Sequence, residues 1–96
     1  MRKIEKEMIQ ALRDHKVWAK DNTMVFSNGD VFLHRNHIAT VYPDTGELKV
    51  NLYTLRKWPS MTTRSRLRAL GANLVNIKGT LHLDGKSIYA ENLNNE

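Results

Sequence analysis

Asn28-Gly29 restricts what this chain can become more than any other pair in it. Both residues tolerate positive φ, so they close a tight β-hairpin between the apolar runs at 23–27 and 30–34. A two-residue turn predicts Phe26 opposite Val31 and Met24 opposite Leu33, with Val25 opposite Phe32 on the other face. The second strand is expected to turn at Arg35-Asn36 into a third, at 37–42. Pro43-Asp44-Thr45-Gly46 follows as a turn in which Pro sets φ and Gly relieves it. A fourth strand, 47–53, alternates: Leu48, Val50 and Leu52 face one way, and Lys49, Asn51 and Tyr53 the other. Together these predict an antiparallel meander with one face to be covered.

The cover comes from 3–19, read as one helix. Ile4, Met8, Ala11, Leu12, His15 and Trp18 recur at three- and four-residue spacing. After the fourth strand, Pro59 disfavours a helical Trp58, so a second helix starts later, capped by Thr62 or Thr63. Leu67 and Leu70, with Thr63 and Leu74, form its buried edge, and Gly71 ends it. The alternation from Val75 to Leu83 is read as one long strand, in preference to a Lys78-Gly79 hairpin that sets Val75 opposite His82. Asp84-Gly85 then turns the chain and pairs Leu81 with Ile88. The order is αββββαββ, an α+β fold. The 96 residues suit a single domain over 1–90, with 91–96 a polar tail expected to fray.

The chain has no cysteine, which removes disulfides, thiolate zinc sites and thiol catalysis and fits a reducing cytoplasm. Its start, Met1-Arg2-Lys3-Ile4-Glu5-Lys6-Glu7, is charged, so a signal peptide is not expected. No apolar run approaches the roughly 20 residues of a membrane helix.

Charge carries the functional reading. Formal net charge is +5, and residues 48–83 hold seven Lys or Arg with no Asp or Glu. Arg56, Lys57, Arg64, Arg66 and Arg68 are expected to grip phosphates. Thr62 and Thr63 would add hydroxyls and first-turn N–H groups. Tyr53 and Trp58 would stack on bases if exposed, but the reading puts Trp58 in the core. For the arginines, a plain solvated face is the rival, and 36 residues without a local acid favour binding over it.

His34 and His37 are expected as cross-strand neighbours, with His15 bordering the core and His82 on a strand surface. No metal-site spacing joins them. Asp30, Asp44 and Asp84 sit in or beside turns, and nothing resembles a paired acid/base site, a phosphate loop or a nucleophile elbow. No enzyme activity, metal or cofactor is expected.

Three segments resemble a known family. Val31-Phe32-Leu33-His34-Arg35-Asn36-His37-Ile38-Ala39 is similar to a strand-turn-strand in a small domain common in bacteriophage and other viral proteomes. There a His-Gly-Asn-type turn precedes Ile-Ala. Trp58-Pro59-Ser60-Met61-Thr62-Thr63-Arg64-Ser65-Arg66-Leu67 resembles its aromatic-x-Thr/Ser-x-Thr-Thr-Lys/Arg-x-Arg-Leu segment, and Lys78-Gly79 with Leu81 and Leu83 its closing strand. The resemblance covers roughly 23–83 and leaves the first helix outside. Arg35 stands where the family more often has Gly. The family carries no established activity, so the resemblance implies a phage-like accessory protein and no particular chemistry.

The expected partner is nucleic acid, DNA ahead of RNA, with an acidic host protein as the alternative and an unrecognised nuclease as a distant third. No membrane is expected, and the chain is expected as a monomer or a homodimer.

Overall fold

The computed structural model describes residues 1–90, and the expected polar tail at 91–96 lies outside the described residues. Helix α1 (Lys3–Arg13) leads into a five-stranded antiparallel sheet: β1 (Trp18–Lys20), β2 (Thr23–Val25), β3 (Asp30–Leu33), β4 (Asn36–Val41) and β5 (Leu48–Val50), paired in chain order. Helices α2 (Leu52–Lys57) and α3 (Met61–Ala69) follow. A three-stranded sheet of β6 (Leu74–Ile77), β7 (Thr80–Leu83) and β8 (Lys86–Ser87) closes the chain. The fold is α+β, with order αβββββααβββ.

The first helix is shorter than its periodicity predicts. His15 takes φ 53°, and the Lys16 and His15 amides bond back to the Ala11 and Leu12 carbonyls. This left-handed stop is usually signalled by glycine. Trp18 therefore starts a strand, and His15 is exposed rather than bordering the core. In α3 the same device falls where expected, with Gly71 at φ 107° and the Ala72 amide on the Leu67 carbonyl.

The Asn28-Gly29 hairpin forms, one residue out of the expected register. Its loop has three residues, 27–29, closed by the Gly29 amide on the Phe26 carbonyl and the Phe26 amide on the Asp30 carbonyl. Val25 consequently faces Val31 and Thr23 faces Leu33, all buried, while Met24 and Phe26 turn outward. A one-residue slip exchanges the faces of a strand. Gly29 is required here: its φ is 97°, and a Cβ on it would lie 1.9 Å from the Val41 carbonyl oxygen.

The next turn is His34-Arg35, both at positive φ (50° and 67°), in place of Arg35-Asn36. Arg35 thus fills a left-handed slot that suits glycine. His34 lies in the turn, so it does not face His37, whose cross-strand partner is Phe32. A register shift between Val31 and Phe32 bulges β4 and turns the consecutive Ile38 and Ala39 both inward.

The fourth predicted strand stops at Val50 because the Asn51 side chain accepts the Thr54 amide and caps α2. Leu52 and Leu55 are then buried three residues apart. The expected long strand at 75–83 is instead a hairpin turning at Lys78-Gly79, with Val75 opposite His82. Val75 is 47% exposed, so no buried face penalises that pairing. The Asp84-Gly85 turn forms as expected, and the Ile88 amide bonds the Leu81 carbonyl.

One apolar cluster joins the parts, running from Met8 of α1 through Val25, Ile38, Leu55 and Leu67 to Leu81 and Ile88. Helix α1 packs on β1, β2 and α3, while α2 and α3 pack on β4.

Candidate nucleic-acid interface

The segment from α2 through α3 carries the cations singled out in the sequence, and folding divides them into structural and available groups. Ser60, ahead of both expected capping threonines, is the N-cap of α3, its Oγ accepting the Thr63 amide at 3.1 Å. Thr63 also shares a hydroxyl contact of 2.9 Å with Ser60 and is buried, so it is not free to meet a ligand. Thr62 is half-buried on the first turn.

Arg66 corrects the phosphate list more strongly. Its side chain is 5% exposed and its Nη1 donates to Glu5 Oε2 at 2.8 Å, while Nε donates to Thr23 Oγ1 at 3.1 Å. Glu5 Oε2 also accepts the Ser65 hydroxyl at 2.6 Å, and Oε1 the Arg2 amide at 3.4 Å. Burial pushes the Glu5 carboxyl up, but the Ser65, Arg66 and Arg2 donors and the Arg66 charge outweigh it and hold the carboxyl below its ordinary value. Arg66 is an anchor between α1 and α3.

Two further cations are partly committed. Arg56 Nε donates to the Ile88 carbonyl, and Arg68 Nε to the Leu74 carbonyl at 2.9 Å. Arg64 makes only a long contact, Nε to the Ser60 carbonyl at 3.4 Å. Among the described residues, no carboxylate pairs with Arg64, Arg68 or Arg2. These three arginines line one open cleft of about 410 Å³ between the start of α1 and α3. Its only acid among the described residues, Glu5, is already neutralised by Arg66. Sequence reading missed Arg2, because nothing near position 2 shows that the start of α1 will lie beside α3.

The aromatics are also placed differently from expectation. Trp58 leaves helical geometry (φ −133°, ψ 72°) and is 45% exposed instead of core; Tyr53 is 64% exposed. The Lys57 ammonium sits 4.9 Å from the Trp58 ring centre and 5.6 Å from that of Tyr53. Such exposed cation–π contacts contribute about 0.5–1 kcal/mol, little enough to be exchanged for another partner.

A second polar group sits on the sheet. The Thr40 hydroxyl donates to Asp30 Oδ1 at 2.7 Å, and His37 Nε2 lies 2.9 Å from Thr40 Oγ1 and 3.3 Å from Asp30 Oδ1. Asn51 spends its Oδ1 on the Thr54 amide, so its Nδ2 donates to His37 Nδ1 at 3.0 Å. The neutral ring therefore carries its proton on Nε2 and has no lone pair to take one from Thr40. The group ties the α2 cap to β4 and is not poised as a base. The Thr40 donor leads the causes that lower the Asp30 carboxyl; burial opposes it, and Asn28 and His37 reinforce it.

Both depressed carboxyls have the same sign of effect. Each contributes stability that is full above its ordinary value (4.5 for Glu5, 3.8 for Asp30) and is lost as pH falls through the lower folded value. The urea midpoint is expected to hold between neutrality and the ordinary carboxylate range and to fall in acid below it. Asp30→Asn should make that fall shallower. An acid profile unchanged by Asp30→Asn would contradict the Asp30 assignment.

No three His, Asp or Glu side chains among the described residues gather as metal ligands, and no helix among them is long and apolar enough to cross a membrane.

A family profile described as Kyanoviridae Gp96 protein matches residues 1–95. The chain belongs to this family. It is a small bacteriophage protein, as the resemblance implied, and the Kyanoviridae Gp96 match takes in α1, which the resemblance had left outside. No curated protein and no solved structure matches the chain.

Proposed function

We propose that this phage protein binds the sugar–phosphate backbone of nucleic acid, DNA ahead of RNA, in the cleft between α1 and α3. The observation that carries the reading is the convergence of Arg2, Arg64 and Arg68 on one cleft whose only acid among the described residues is spent on a buried pair. Arginine suits the task because its planar fork matches phosphate oxygens. The half-buried Thr62 follows Met61 of the cleft in sequence, Lys57 stands by the Tyr53 and Trp58 rings, and Arg56 is held at the Ile88 carbonyl. The net charge of +5 adds long-range attraction to a polyanion.

The test is anisotropy of labelled DNA and RNA against the whole chain at 50 and 200 mM salt. Three phosphates neutralised by these arginines predict a salt slope of roughly −2.7 on duplex DNA, about a 40-fold loss over that range, and roughly −2.1 on a single strand, about an 18-fold loss. Arg2→Ala with Arg64→Ala should reduce the slope toward roughly −0.9. It should leave the melting temperature nearly unchanged, because neither side chain supports the core. A triple variant that includes Arg66 would confuse lost binding with unfolding. Binding to neither polymer would overturn the reading and turn the cations into a docking surface for an acidic host protein, to be sought by pull-down from host lysate.

A further inference from the structure

We infer that the nucleic acid taken by this surface is single-stranded, with unpaired bases stacking on Tyr53 and Trp58; this rests on the phosphate-binding reading above. Two large aromatics stand exposed, 64% and 45%, on one short segment. Neither serves the core, which Leu52 and Leu55 fill from the same helix. Trp58 is held at the end of α2 by its amide on the Thr54 carbonyl at 2.8 Å and is followed by the rigid Pro59. The backbone that carries the ring is thus fixed before any ligand arrives.

Placement joins these rings to the cleft. Ser60 is two residues beyond Trp58, hence within about 7 Å of it along the chain. Its carbonyl is the one that Arg64 touches, and Met61, next in sequence, lines the arginine cleft. A strand whose backbone runs along Arg68 and Arg64 and continues past Met61, at the Trp58 end of the cleft, can set a base on Trp58, and Tyr53 shares the Lys57 ammonium with that ring. A base displaces the Lys57 ammonium from a ring face, since stacking is the stronger of the two contacts. Lys57 is then free for the adjoining phosphate.

Duplex fits this surface poorly. The faces of paired bases are hidden in the helical stack, so exposed rings gain nothing from them. Nor does α3 stand clear as a groove-reading helix: Ser65, midway along it, bonds Glu5 of α1, and Arg2 and Met1 flank it.

The experiment compares a labelled oligothymidylate with a labelled DNA hairpin of equal charge, both against the whole chain at 50 mM salt. The oligothymidylate is expected to bind at least about tenfold tighter, in line with stacking on one or two bases. Trp58→Ala should weaken it by roughly 5- to 150-fold and leave hairpin affinity and melting temperature unchanged. Trp58→Phe should retain most of the binding, because it keeps an aromatic face. Equal affinity for both probes, preference for the hairpin, or indifference to Trp58→Ala would overturn the single-strand inference. If Arg2→Ala with Arg64→Ala still weakened binding in those cases, the phosphate reading would survive. Binding to neither probe would overturn both.

Discussion

Arg66→Ala is expected to lower the unfolding free energy by about 3–5 kcal/mol, because it leaves the Glu5 carboxylate buried without its partner. A domain of this size holds only about 5–15 kcal/mol in total, so the variant should sit near the edge of folding. The loss includes more than a charge pair: Thr23 Oγ1 loses a buried donor as well. Replacing both partners by apolar residues, Glu5→Leu with Arg66→Met, should recover much of the loss, since no unpaired charge then remains inside. Urea denaturation of the single and double variants checks this. A single variant as stable as the parent would show that Arg66 is not an anchor and would return it to the phosphate-binding group.

Leu67→Ala should cost about 2–5 kcal/mol, the transfer free energy of the lost side chain plus the cavity it leaves. Leu67 is fully buried in the apolar cluster that spans α1, the large sheet and the C-terminal hairpins. It shares its face of α3 with Thr63 and Arg66. An unchanged urea midpoint would refute this orientation of α3.

The same stripe shows what was legible in the sequence. The spacing predicts Thr63, Leu67, Leu70 and Leu74 as the inward edge of a helix; Thr63 and Leu67 are buried there and Leu70 is half-buried at its C-cap, whereas Leu74 is buried in β6. Arg66 lies on that edge too, three after Thr63 and four before Leu70, and Glu5 sits three before Met8 on the apolar stripe of α1. A charge inside each of two apolar stripes, opposite in sign, was the available signal that these two residues meet. Counting cations along the chain hides it, because a pair so distant in sequence looks like an unpaired arginine.

Strand positions were legible from alternation, but registers were not. The chain uses left-handed backbone at residues that rarely advertise it: His15, His34, Arg35 and Lys78 all have positive φ. Asn28-Gly29 announced a hairpin correctly, yet a third loop residue reversed which side chains enter the core. Asn51 looked like one more outward residue of a strand. Its role as the cap of α2 depends on His37 and Thr54, and it is this helix that carries Trp58 out to solvent.

The Glu5–Arg66 bond joins residues 61 apart in sequence. On a ribosome adding about 5–20 residues per second, Glu5 is made roughly 3–12 s before the guanidinium that completes its environment. Until then α1 can lie against β1 and β2 only with an unmatched acid on its inner side. The large sheet can assemble early, but the lock between the first helix and the third closes after two thirds of the chain has been synthesised. Mutations at this pair should therefore act on the last step of folding more than on the first.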